Sequence, residues 1–226
     1  MAKESVEERL DRLEHELDRA KAVNAIHNIM SKVQAYHTVA LEGEISKLHS
    51  TRPDTKVHFG HIGAWVGSDA PDRAGGGFAK MGATDRKGYL AMHLMCNPII
   101  EVAADGQTAK AVWIAAGLVA KKDKETGKPI CWWEWNRYAD DYIKENGEWK
   151  LWHHHIYDLF QCGWDQKWED AFAPREVDLE LMKLVPNKPD LPPTPLDAPY
   201  SPDTELPFIP IPEPYETWDF TEEVQY

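Results

Sequence analysis

Residues 129–163 read PICWWEWNRYADDYIKENGEWKLWHHHIYDLFQCG. Trp, Tyr and Ile recur through both halves, and Asn146-Gly147 between them is a hairpin turn signal. The pattern predicts two long antiparallel strands, 129–145 and 147–163. Upstream, YLAMHLMCNPIIEVA (89–103) and QTAKAVWIAAGLVAKK (107–122) read as two more, with ADG and KETG as the breaks. Strands longer than the average suit a strongly bent antiparallel meander.

Ahead of this meander the period is helical. Val6, Leu10, Leu13, Leu17 and Ala20 follow a 4-3-4-3 spacing with charged residues between them, an amphipathic stripe. The helix is expected to continue through AVNAIHNIMSKVQAYHTV as one or two segments. A shorter helix in ALEGEISKLHS then ends at Arg52-Pro53-Asp54. KVHFGHIGAWVG reads as extended with a glycine bend. Residues 67–88 are glycine-rich and expected to be irregular, a candidate pocket lid, and AGGGFAKMG lacks the spacing of a P-loop. Helices first and a meander afterwards indicate an α+β class. From Pro186 the chain is proline-rich and builds neither helix nor sheet. Its Leu206, Phe208, Ile209, Ile211, Tyr215, Trp218 and Phe220 need a surface, so an extended arm is expected, lying on the domain or on a neighbouring subunit. The expected organisation is an N-terminal helical extension (1–22), an α+β domain (23–172) and a proline-rich C-terminal arm (173–226).

The chain has 226 residues, 10 Trp, 8 Tyr and 6 Phe, enough aromatic surface for a substantial core and a pocket for a flat ligand. A net charge of −13 with no basic run argues against nucleic acid. Cys96, Cys131 and Cys162 form no CxxC pair, which fits a reduced compartment. No apolar run suits a signal core or a membrane span, so a cytoplasmic protein is expected.

Alternation sorts the chemistry-bearing side chains. Trp149, Leu151, His153, His155 and Tyr157 share one face of the last strand, and His154 takes the other. The His153/His155 pair has the spacing to hold one metal, but no third ligand stands at a recognisable spacing; acid/base work or packing weighs more, and no metal or cofactor is expected. Trp133, Trp135, Arg137 and Asp141 share a face of the preceding strand. Glu134, Asn136, Tyr138 and Asp140 share the opposite one, and the sequence leaves open which set lines the interior. His93 is the lone polar side chain in an apolar run. His58 and His61 flank a possible bulge at Gly60.

NPIIEVAADGQTAKAVW and NRYADDYIKENGEWKLWHH, with the helices before them, resemble the SnoaL-like branch of the nuclear transport factor 2-like superfamily over roughly residues 20–165. The resemblance implies a cone-shaped α+β barrel: a curved antiparallel sheet packed on N-terminal helices around an apolar pocket. It gives His93 the position of the catalytic histidine of dehydratase members and Tyr36 that of their helix tyrosine. The acidic partner is usually an aspartate; here Glu42 is the nearest substitute, or no such dyad exists. With its proline-rich tail the chain is also similar to diarylpropane lyases, which strip formaldehyde from lignin-derived diaryl 1,3-diols without a cofactor. On that reading His93 and Tyr36 transfer protons, Arg137 or His155 polarises a phenolate, Trp133 and Trp135 stack on the substrate, and Tyr138, His153 and His58 complete the pocket. A dehydratase or cyclase, or a non-catalytic small subunit of a dioxygenase-like complex, are the alternatives. The expected partners are a small aromatic substrate and further copies of the chain, as a dimer or trimer using the N-terminal helix or the arm.

Overall fold

The computed structural model describes residues 4–60, 62–76, 86–123, 125–170 and 188–220. Helix α1 (Val6–His37) starts at Ser5, whose side chain accepts from the Glu8 amide while the Glu8 carboxylate accepts from the Ser5 amide, a reciprocal cap. α1 runs unbroken across residue 22. Its first half leaves Val6, Leu10, Leu13 and Leu17 exposed, and its second half buries Ala22, Ile26, Ile29, Met30 and Val33. The short helix α2 (Glu42–Ser46) follows.

Six strands form one sheet in the order β2-β1-β6-β5-β4-β3. They are β1 (Lys56–Phe59), β2 (Gly63–Val66), β3 (Leu90–Val102), β4 (Thr108–Lys122), β5 (Pro129–Glu145) and β6 (Glu148–Gly163). β3 to β6 are the four expected from the sequence. The β5–β6 turn has positive φ at both Asn146 (52°) and Gly147 (83°), the conformation that matches strand twist in a two-residue hairpin. β1 pairs antiparallel with β2 and parallel with β6.

α1 closes one face of the curved sheet. Ile26, Met30 and Val33 pack there with Trp113, Tyr138, Tyr142 and Leu151. Burying such side chains contributes about 1.5–3 kcal/mol each, which fixes the helix across the strands. Residues 70–76, expected to be irregular, are helical. Pro71 suits a first turn, and Ala70 and Ala74 bury against Val57 and Trp65. The lid expected nearby falls largely on residues 77–85, outside the described residues. Among the described residues no helix is long and apolar enough to cross a membrane.

The arm crosses the opposite face. Its Asp190 and Leu191 amides donate to the Ala64 carbonyl, Ile209 buries against Ala139 and Tyr157, and Trp218 packs on Trp152 at 4.9 Å. Gly63 permits the first contact: its φ is +122°, and a Cβ there would overlap the Leu191 carbonyl oxygen. Gly63→Ala is therefore expected to destabilise the chain by about 1–3 kcal/mol. A lowered urea midpoint, with earlier proteolytic cutting within the arm, is the result to look for.

Candidate active site

Register builds the site. Across β3, β4, β5 and β6, His93 lies opposite Gly117, Gly117 opposite Glu134, and Glu134 opposite Gln161. Directly opposed residues share a face, so this row points to the α1 side. The next row reads Met95, Ala115, Asn136 and Asp158. Gly117 and Ala115 keep the middle of both rows low. A Cβ at Gly117 would stand 3.0 Å from both His93 Nδ1 and Glu134 Cγ, so glycine is what lets those two side chains lie over β4.

His93 Nε2 is 3.3 Å from Glu134 Oε1, and both residues are buried. Glu134 is held by three donors: Trp132 Nε1 at 3.0 Å and Gln161 Nε2 at 2.6 Å on Oε2, and Asn136 Nδ2 at 3.2 Å on Oε1. A second pair comes from the helices. His37 Nδ1 lies 2.8 Å from Glu42 Oε1, and the His37 ring is 5.4 Å from that of His93. The Tyr89 hydroxyl is buried without a hydrogen-bond partner among the described residues. Burial pushes its phenol up, and the carboxylates of Glu42 and Glu134 add to this. Burial also pushes the His93 imidazole below the usual histidine range, against the opposing pull of Glu134. His93 is thus neutral at pH 7 and competent as a base.

The face left open by the sequence is settled by this row: Glu134, Asn136, Tyr138 and Asp140 point to α1. Trp133, Trp135 and Arg137 point the other way and do not join His93. Arg137 donates to the Pro207 carbonyl oxygen at 2.8 Å, under the arm, while Trp133 stacks on Trp164 at 5.1 Å and Trp135 on Phe160 at 5.1 Å. His153 and His155 also lie on that far face, and so does His58. His153 and His155 take different partners. His153 Nδ1 contacts Asp141 at 2.9 Å, whereas His155 pairs with Asp197. Leu151 parts company with His153, because the β5–β6 register shifts between Asp141 and Tyr142. Tyr36 is half-buried and sits about 100° around α1 from its neighbour His37. The buried line Ile26–Met30–Val33 leads at i+4 to His37, whose ring lies beside that of His93. Glu42, the nearest acidic residue in place of an aspartate, pairs with His37. Tyr138 faces inward but is packed in the core beside Trp113.

Glu134 and Asn136 stood in one of the two sets the sequence left open, without a role assigned, whereas His37 and Tyr89 were not singled out by sequence alone. The helical line identifies His37 in retrospect; the others depend on register.

A curved sheet closed by N-terminal helices, with histidine–carboxylate pairs between them, defines a nuclear transport factor 2-like α+β protein. Residues 19–155 match the SnoaL-like domain family, and the chain belongs to it. Members are typically cofactor-independent dehydratases, isomerases or cyclases. Among solved structures, LinA is similar with a TM-score of 0.54 at 19% identity, over 71% of this chain and 99% of its own. A type 3 hexachlorocyclohexane dehydrochlorinase from Novosphingobium barchaimii gives 0.51 at 17%, over 71% and 99%. A Novosphingobium aromaticivorans protein assigned as a scytalone dehydratase gives 0.53 at 14%, over 66% and 92%. At these identities the likeness is one of fold. No curated protein matches the sequence.

Proposed function

We propose that the chain is a cofactor-independent carbon–carbon lyase that removes formaldehyde and water from a lignin-derived diaryl 1,3-diol, leaving a stilbene. The observation supporting this is the pair of facing couples, His93–Glu134 and His37–Glu42, with the Tyr89 hydroxyl near both carboxylates. The reaction asks for proton transfer at two separate oxygens. An acid protonates the benzylic hydroxyl, which leaves as water while the para-phenolate pushes electrons to form a quinone methide. A base then takes the proton of the terminal hydroxyl. The C–C bond breaks, formaldehyde departs, and the electron pair restores the aromatic ring. Diol gives stilbene, water and formaldehyde with no net oxidation, so no electron acceptor is consumed.

In this scheme neutral His93 is the base at the terminal hydroxyl, and Glu134 stabilises the imidazolium that forms. His37, oriented by Glu42, faces the benzylic oxygen together with Tyr89. Each proton transfer contributes about 10²–10⁴-fold, with orientation and exclusion of water supplying the rest. A dehydratase or cyclase would use the same groups. The structural neighbours named above, a dehydrochlorinase and a dehydratase, also carry out eliminations, which supports this second reading.

Purified protein mixed with a 1,2-diguaiacylpropane-1,3-diol separates the two. Formaldehyde and the near-ultraviolet absorbance of a stilbene are expected to rise together, one for one. Water loss with no formaldehyde would replace the lyase by the dehydratase, and an inert diol would sink the substrate assignment.

A further inference from the structure

The face of the sheet turned away from His93 carries another cluster. The parallel register of β1 and β6 sets His58 opposite His155, and their rings stack at 3.8 Å. The arm brings Asp197 against both through the 3-10 turn Pro195–Asp197. Its Oδ1 lies 2.8 Å from His155 Nε2, and its Oδ2 lies 3.3 Å from His58 Nε2. All three side chains are buried, at 1–4% exposure. One ligand atom from each falls within 4.8 Å of the others.

We propose that His58, His155 and Asp197 form a divalent-cation site of the zinc type, which fastens the C-terminal arm to the sheet. Two imidazoles and a carboxylate are a donor set that Zn²⁺ takes at about 2.0–2.2 Å, in a tetrahedron whose corners lie roughly 3.3 Å apart. The His58 Nε2–Asp197 Oδ2 separation of 3.3 Å already has that value, and for one carboxylate oxygen to serve both edges Asp197 must turn and the His155 contact of 2.8 Å, now to Oδ1, must open. The water of a fourth position would complete the shell.

Two further observations favour an ion over a plain hydrogen-bonded clamp. His58 Nε2 reaches Asp197 at ion-pair distance and is buried without a hydrogen-bond partner among the described residues. Asp197 is also held from behind, as metal-ligating carboxylates are: its Oδ2 accepts from the Thr194 amide at 2.6 Å and the Thr194 hydroxyl at 2.9 Å. The cluster lies on the opposite face from the acid/base row, so the ion fastens the arm and takes no part in the chemistry there.

The test uses the full-length, tag-free chain after treatment with a chelator. Zn²⁺ is titrated in competition with a chromophoric chelator, and Co²⁺ is followed by its visible absorption. One equivalent per chain is expected, with the Co²⁺ band of a tetrahedral site. Asp197→Asn and His155→Gln should each weaken uptake by more than about 100-fold, beyond the usual cost of an outer-shell change, and His153→Gln should not. In the unmutated chain, Zn²⁺ should slow proteolytic cutting within residues 188–220, a readout that does not depend on the variants folding. The proposal is overturned by no uptake in the unmutated chain, by uptake that persists in both variants, or by binding that leaves the arm equally open to protease.

Discussion

His93→Ala, and separately Glu134→Gln, are each expected to lower kcat for formaldehyde release by about 10²–10⁴-fold. On the proposed scheme His93 transfers the proton, and its Nε2 lies 3.3 Å from the Glu134 carboxylate. Glu134→Gln keeps the shape of the side chain but removes the negative charge that stabilises the protonated imidazole. The pH dependence carries a second signature. Burial lowers the His93 pKa and Glu134 raises it. The rate of the unmutated chain should therefore persist at pH 6.5 and fall on an acid limb below it. Without the carboxylate the raising influence is lost, so the limb moves to lower pH while the plateau drops. The stability sign follows from the same shift: the unfolded state binds the His93 proton more readily, so this residue's contribution is lost as pH falls below about 6.5. A pH profile of kcat/KM on both variants checks the argument. Full activity in His93→Ala would remove the chemistry from this face of the sheet and favour a non-catalytic binding role.

The fold was legible because the local signals agree with one another. Asn146-Gly147 fixes a hairpin, the runs on either side alternate, and the helical stripe precedes them. The site was legible only in part, since alternation divides β5 into two sets and says nothing about which set meets α1. The tryptophans suggested the wrong one. Trp133 and Trp135 are large enough to line a pocket, yet they stack on Trp164 and Phe160 on the far face. The inner rows instead rely on Gly117 and Ala115, small residues whose value lies in the space they leave. Glu134 becomes a site residue only once His93, Gly117 and Glu134 are placed in register. That pairing joins three strands and has no local signal. The same holds for His58 and His155, which meet through a parallel β1–β6 pairing. By contrast His37 was within reach of sequence reasoning, because it continues the buried line of α1 by one i+4 step.

Asp140→Ala is expected to cost about 1–3 kcal/mol of stability, as leaving a buried hydrogen-bonding group without its partner does. Asp140 and His154 lie opposite each other on β5 and β6, facing α1, with His154 Nδ1 2.7 Å from Asp140 Oδ1. Tyr142 adds a hydrogen bond from its hydroxyl to Asp140 Oδ2 at 3.3 Å. Both members of the pair are nearly inaccessible, so water cannot replace the missing carboxylate. Burial raises the Asp140 pKa, and the His154 contact opposes it. A carboxyl raised on folding is stabilising in its protonated form, and that contribution is lost as pH rises through its folded pKa. Asp140→Asn keeps an acceptor for His154 and removes the buried charge, so it should cost much less than alanine at pH 7. The double change Asp140→Ala with His154→Leu removes the orphaned imidazole and should recover part of the loss, as apolar replacement of buried ion pairs does elsewhere. Urea midpoints of the four proteins decide the matter. If the alanine and asparagine variants unfold at the same midpoint, hydrogen bonding at Asp140 contributes little, and its burial would have to be explained by packing alone.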